Sequence, residues 1–131
     1  MSETINTPAG ILDTRTGVGL LTRNIKISSA AAPNNWGGRV LIYGYEEINE
    51  DITIPPIWRN GYAKIQGVEF VGLSQYDTTN AAIRIENIGS REDAPVTEQT
   101  VIEASSIHGC EGKGMFIDDV ANVTINNNVF F

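Results

Sequence analysis

Short runs of apolar side chains at alternate positions recur along the chain. Ile83 and Ile85 share one face of such a run, as do Val123 and Ile125. Alternation with period two is typical of strands buried on one side, whereas an amphipathic helix repeats at three and four residues. The helical repeat is missing over any stretch of a dozen residues, so the pattern predicts an all-β protein. The predicted strands are Leu20–Ile27, Arg39–Tyr45, Ala63–Phe70, Ala82–Ile88, Val101–Ile107, Met115–Ile117 and Val123–Phe131.

Three segments in the second half share one pattern. Ala63–Phe70, Thr100–Gly109 and Asn122–Phe131 each begin with an apolar strand, pass through small or amide residues, and re-enter an apolar strand. The interval between the first two starts is the longer one, because it contains the polar stretch Ser90–Gln99. We interpret that stretch as an inserted loop, without which both intervals fall in the twenties. A period in the twenties with three short strands per unit predicts a solenoid.

A fragment of a right-handed parallel β-helix is the solenoid that fits best. Asn126, Asn127 and Asn128 lie where a coil would turn, and Asn tolerates the left-handed conformation of such a turn. Stacked coils would also allow Asn amides to pair at the strand spacing of about 4.8 Å. A β-sandwich is the alternative, because its strands also recur every 8–12 residues. It requires hairpin turns, for which Asn60-Gly61 is the one Asn-Gly pair between apolar runs.

The pattern divides the chain into two parts. Residues 1–16 are predicted to be a flexible N-terminal segment, and residues 17–131 a parallel β-helix segment. Inserted loops are expected near 46–61 and 89–99. The first of these is acidic and then rich in proline, and Pro55-Pro56 cannot lie in a central strand.

Length and charge exclude several classes of function. A chain of 131 residues allows one domain at most. The net charge of -7 disfavours nucleic acid as a partner, since duplex-binding proteins are basic. No apolar run approaches the roughly 20 residues of a membrane-spanning helix, so insertion into a membrane is not expected.

Four segments follow one another in a particular order: VGLLTRNIKI (Val18–Ile27), GGRVLIYG (Gly37–Gly44), AKIQGVEFVGLSQ (Ala63–Gln75) and the C-terminal stretch Ser105–Phe131. In this order they resemble the fibrocystin and fibrocystin-like cell-surface proteins. They are also similar to the related hyaluronan-degrading proteins of the cell-migration-inducing and transmembrane type. The resemblance implies a parallel β-helix at the cell or ciliary surface, or otherwise extracellular. Its implied partners are neighbouring segments of a longer chain, and glycans.

One departure from the hyaluronan-degrading relatives bears on activity. Their corresponding strand carries histidines in an IHFH-like pattern, whereas this chain has Arg84 and Glu86 there, and His108 is its single histidine. Acid–base catalysis by a histidine cluster is therefore not expected. The resemblance then favours a non-enzymatic structural or recognition segment of a fibrocystin-like protein, without cofactor or metal.

A polysaccharide-acting enzyme of the hyaluronan or pectin type is the alternative. Its residues would be Asp118, Asp119, His108 and Arg84 around one cleft, because two carboxylates can divide the acid and base roles. His108-Gly109 and Arg84-Ile85 are similar to pairs in pectin-degrading β-helices. Adjacent residues of a strand point to opposite faces, so the two aspartates share a site only where the chain turns. Otherwise they are solvated turn residues.

The sequence also contains a candidate glycosylation site and a single cysteine. Asn122 begins the one Asn-x-Thr acceptor sequence for N-glycosylation. Cys110 is the sole cysteine and therefore a free thiol or a small buried side chain. A third functional alternative is a building block of an extracellular filament, in which identical copies stack through their coil ends.

Overall fold

The computed structural model describes residues 4–7, 10–13, 20, 22–30, 36–89 and 95–131. Every helix or strand element in these residues is a strand, so the predicted all-β class is confirmed. The strands are β1 (Thr4–Thr7), β2 (Gly10–Asp13), β3 (Ile25–Ser28), β4 (Val40–Glu47), β5 (Ile57–Asn60), β6 (Lys64–Gln66), β7 (Val68–Val71), β8 (Ile83–Ile88), β9 (Thr100–Glu103), β10 (Ser106–His108), β11 (Met115–Val120), β12 (Val123–Asn126) and β13 (Val129–Phe130).

Three sheets organise the strands that follow the N-terminal hairpin of β1 and β2. Sheet one has the order β13-β10-β7-β3, sheet two β11-β8-β4-β5, and sheet three β12-β9-β6. Neighbours in these sheets pair in parallel, except that β5 is antiparallel to β4. From β6 onward the chain visits sheets three, one and two in turn, and then repeats the order. We call one such passage a circuit.

The length of a circuit follows from the strand register. Thr100 pairs with Val123, one position beyond the Asn122 at which the sequence placed the start of the last unit. In the preceding circuit Lys64 pairs with Val101, which is a longer passage. The extra length lies in two connections. The connection from β7 to β8 is longer than that from β10 to β11, and the connection from β8 to β9 is longer than that from β11 to β12. The predicted loop at 89–99 therefore accounts for only part of it, and its residues 90–94 lie outside the described residues.

A tight corner joins sheet three to sheet one in each of these circuits. Gly67, Ala104 and Asn127 occupy equivalent positions in it, with φ of 65°, 48° and 52°. The left-handed conformation predicted for the Asn run is thus confirmed at Asn127. Gly adopts this conformation without steric penalty, whereas a β-carbon disfavours it at Ala104.

The predicted ladder of Asn amides is wrong. The register places Asn128 beside Ser105 of the preceding circuit rather than beside another Asn. Its Oδ1 accepts a hydrogen bond from the Ser105 N–H at 3.0 Å, and its Nδ2 donates to the Ile102 carbonyl at 2.8 Å. The side chain therefore ties two circuits together through the backbone.

The core consists of rows of apolar side chains that run across the sheets. Ile42, Ile85 and Ile117 form one row in sheet two. Sheet one contributes Ile27, Phe70, Ile107 and Phe130, and sheet three Ile65, Ile102 and Ile125. Members in the middle of each row are almost wholly buried, while most of those at its ends are partly or largely exposed. Burial therefore depends on having a strand on both sides.

Two antiparallel pairs interrupt the parallel pattern. β4 and β5 pair from Gly44↔Asn60 to Glu47↔Ile57, and the exposed residues 48–56 connect them. The expected excursion near 46–61 is therefore a hairpin that covers one edge of sheet two. In the segment 1–16, strands β1 and β2 pair with each other, and its remaining residues are not described by the structure. Positions 18, 19 and 21 of the VGLLTRN motif are not described either.

Candidate functional site

The outer face of sheet two carries the first group of candidate side chains. Alternation along β8 buries Ile83 and Ile85, so that Arg84 and Glu86 point outward. Register pairs Arg84 with Phe116 and Glu86 with Asp118 on the neighbouring strand β11. Two rows of polar and aromatic side chains therefore cross this face.

Arg84 is held by a dense set of contacts. Its Nε and Nη2 donate to Glu86 Oε2 at 2.8 and 2.5 Å. Its Nη1 donates to Thr79 Oγ1 at 3.0 Å and to Asn80 Oδ1 at 3.1 Å. The guanidinium carbon lies 5.2 Å from the Phe116 ring centroid, within the range of a cation–π contact. Glu86 thus neutralises Arg84, and the guanidinium has a fixed orientation.

The two predicted aspartates lie on β11 and are both exposed. Asp118 is the register partner of Glu86, and parallel neighbours are about 4.8 Å apart, so these two carboxylates are neighbours on the outer face. Asp119 has φ of 47° and its carboxylate lies over Gly89. The chain therefore bends between the two aspartates, as a shared site would require. Asn122 is exposed at the next bend, with φ of 57°.

His108 lies elsewhere, at the end of β10 in sheet one. Its Nε2 is 3.2 Å from Glu69 Oε1, and its ring stacks on Phe131 with centroids 4.9 Å apart. The structure therefore brings Arg84 and Asp118 onto one sheet and places His108 on another.

Glu69 is the centre of a second polar cluster, which the sequence reasoning missed. It lies between Val68 and Phe70 on β7, and all three are buried. Its carboxylate accepts a hydrogen bond from the Arg23 N–H at 3.3 Å and pairs with Lys26 Nζ at 3.1 Å. Arg23 Nε also donates to the Ala104 carbonyl at 2.8 Å. The segment before β3 is thereby held against the outer face of sheet one.

The environment of Glu69 shifts its titration. The Lys26 ammonium lowers the pKa of the Glu69 carboxyl, burial opposes this, and the Arg23 N–H lowers the pKa further. A carboxylate whose native pKa is lowered adds stability above its unfolded pKa of about 4.3, and this stability is lost as pH falls through the native value.

The variant Glu69→Gln is therefore expected to unfold at a lower urea concentration than the wild-type chain at pH 7. The difference should shrink as the pH falls below about 4, because the wild-type carboxyl is then protonated as well. Urea midpoints of both chains between pH 3 and pH 7 measure this. Glu98→Gln is the matched control, since Glu98 is exposed and its Oε2 is 3.8 Å from Lys64 Nζ. Equal midpoint changes in the two variants would contradict the assignment.

Cys110 lines a depression between β10 and the residues around β13. The depression measures about 360 Å³, and Ile107, Gly112, Gly114, Phe130 and Phe131 complete its lining. Burial raises the pKa of the Cys110 thiol, and its Sγ is 3.7 Å from the His108 carbonyl. A raised pKa makes the thiol less reactive at neutral pH.

Across the described part of the chain, no three His, Cys, Asp or Glu side chains are grouped as metal ligands. The same residues contain no helix of the length and apolar character needed to cross a membrane. Comparison with protein-family models, curated proteins and solved structures found no match.

Proposed function

We propose that this chain contributes a segment of right-handed parallel β-helix that serves as a non-enzymatic structural and recognition segment of an extracellular or cell-surface protein. The observation that carries the proposal is a parallel register that repeats from sheet to sheet. The pairs Lys64↔Val101 in sheet three and Glu69↔Ser106 in sheet one have the same offset, and so do Thr100↔Val123 and Ser106↔Val129 in the next circuit. The right hand is favoured because crossovers between parallel strands take it in about 98% of cases. The likeness of the sequence to the fibrocystin family supports the cellular location.

Mechanically, such a segment is stiff because backbone hydrogen bonds run along the stack. Each middle strand pairs on both edges, as β9 does with β6 and β12. The apolar rows behind the strands exclude water from these bonds, which strengthens them. The outward side chains are then free to vary, and they provide the surface for recognition.

NMR cross-peaks between strands test the architecture. We expect Ile102 to show contacts with both Ile65 and Ile125, because all three lie in one row. A β-sandwich would instead give antiparallel cross-peaks between consecutive strands beyond the β4–β5 pair, for example between β9 and β10. Those cross-peaks would overturn the β-helix.

The non-enzymatic role is tested with polysaccharides. We expect incubation with neutral and acidic polysaccharides to leave their length unchanged, as measured by size-exclusion chromatography. The contacts of Arg84 with Glu86 and of His108 with Glu69 support this expectation, since both side chains already have carboxylate partners.

The enzyme alternative is favoured by one observation, the neighbouring carboxylates of Glu86 and Asp118. Their strands lie about 4.8 Å apart, and retaining glycosidases use two carboxyl groups at about 5 Å. Shortening of a polysaccharide that Asp118→Asn abolishes, with the fold retained by circular dichroism, would establish the enzyme and overturn the non-enzymatic role. Thr124→Ser, on β12 of sheet three, is a control that should leave any activity unchanged.

A further inference from the structure

Three cationic side chains gather around the loop of residues 75–80, which precedes β8. Lys113 Nζ donates to the Thr78 carbonyl at 3.1 Å. Arg84 Nη1 donates to Asn80 Oδ1 at 3.1 Å, and Arg39 Nη1 donates to the same oxygen. A third of the chain's nine Lys and Arg residues therefore contact this one short loop.

Asn80 sets the relative position of the two arginines. Because both guanidinium groups contact one oxygen atom, their donors lie within reach of a single oxyanion. Asn80 is itself fixed, since its Nδ2 donates to Gln75 Oε1 at 2.5 Å and its N–H donates to Thr78 Oγ1 at 3.0 Å. The arrangement is therefore formed before any ligand arrives, which reduces the entropic penalty of binding.

The charges of this cluster are only partly neutralised. Arg84 pairs with Glu86, as Lys26, Arg59 and Lys64 pair with carboxylates elsewhere. Among the described residues, no carboxylate lies within salt-bridge distance of Arg39 or Lys113; the exposed Asp77 in the same loop is no exception. Positive charge without a carboxylate partner creates a local field that attracts anions, even in a chain of net charge -7.

We infer that Arg39, Arg84 and Lys113 form a binding site for an oxyanion group, a carboxylate or a sulfate, on the ligand of the proposed recognition role, on which this inference rests. Arg39 and Lys113 supply the uncompensated charge, and Arg84 supplies a donor of fixed orientation. Guanidinium groups suit this ligand class because their N–H donors match the oxygens of carboxylate and sulfate. The outer face of sheet two, with Phe116 beneath Arg84, would then contact the remainder of the ligand.

Side-chain NMR measures the site directly. The arginine Nε–Hε signals of the labelled chain are followed during titration with sodium acetate or sodium sulfate, against sodium chloride at equal ionic strength. We expect saturable shifts of Arg39 and Arg84 with at least one oxyanion and not with chloride. The stronger of the two titrations identifies the planar or the tetrahedral group as the preferred one.

Two variants separate this site from general attraction to surface charge. Arg39→Gln is expected to weaken oxyanion binding about fivefold, the effect of an exposed charge pair. Arg59→Gln is the matched control, because Arg59 is also exposed and already pairs with Glu47 at 2.7 Å. It should leave binding unchanged.

Shifts that do not saturate, shifts equal to those in chloride, or equal losses in the two variants would overturn the site. The inter-strand cross-peaks, which test the architecture, are recorded on the same sample. Loss of those cross-peaks contradicts the proposed architecture, whereas intact cross-peaks without saturable shifts contradict only the oxyanion site.

Discussion

Replacing Phe70 by alanine is expected to lower the free energy of unfolding by about 3–5 kcal/mol, the range measured for aromatic truncation in cores. Phe70 is 0% exposed and lies in the middle of its row, with Ile27 on one side and Ile107 on the other. β7 and β10 are paired on both edges, which limits their collapse into the space that the ring leaves. Urea denaturation followed by circular dichroism measures the change.

The same row contains its own control. Phe130 is the next aromatic in the row and is 47% exposed, because β13 is an edge strand among the described residues. Phe130→Ala should therefore lower the free energy of unfolding by about 1–2 kcal/mol, less than half the effect of full burial. Equal effects of the two truncations would mean that the row is not the core described here.

The second large effect is expected for Gly44→Ala. A β-carbon at Gly44 would overlap the carbonyl oxygen of Asn87, which is a backbone atom and cannot rotate away. Either β4 or β8 must shift, and with it their shared ladder. We expect a loss of about 3 kcal/mol or more in the free energy of unfolding, at the upper end for overpacked sites.

Gly38→Ala serves as the comparison. Its β-carbon would meet only the Leu73 Cδ2 at 3.7 Å, an ordinary van der Waals contact. The free energy of unfolding should then change by no more than about 0.5 kcal/mol, and a small gain is expected if the unfolded chain loses flexibility. Thermal melting of both variants measures the two changes in stability. A Gly44→Ala chain as stable as Gly38→Ala would contradict the close approach of the two strands.

Alternation and turn chemistry made one corner and the strands other than β1, β2 and β5 predictable from sequence. Ile83 and Ile85 do share a buried face, and Asn127 does adopt a left-handed conformation. Local preference is enough for such features, because the signal lies within a few residues. The strand β5 was not predicted, since Ile57–Asn60 lay within the loop expected near 46–61.

The polar clusters were harder to predict, for a different physical reason. Glu69 on β7 meets Lys26 on β3 and His108 on β10, and both partners are distant from it in sequence. These contacts depend on the register of three strands, and register depends on loop lengths that local patterns do not fix. The pair of Arg84 and Glu86 could have been predicted from sequence, because residues two apart on a strand share a face. The contact of both Arg39 and Arg84 with the Asn80 amide oxygen could not have been predicted in this way.

The corner between sheets three and one has a consequence for engineering. Its length is constant between the circuits that begin at β6 and β9, whereas the connections after β7 and β8 are longer than their counterparts in the next circuit. The register offset is therefore the same in sheets three and one. The other two connections of a circuit differ in length while the strands that they join remain paired. Foreign peptides grafted after His108 or Val120, where the connections are short, should therefore be displayed on the surface of an unchanged scaffold.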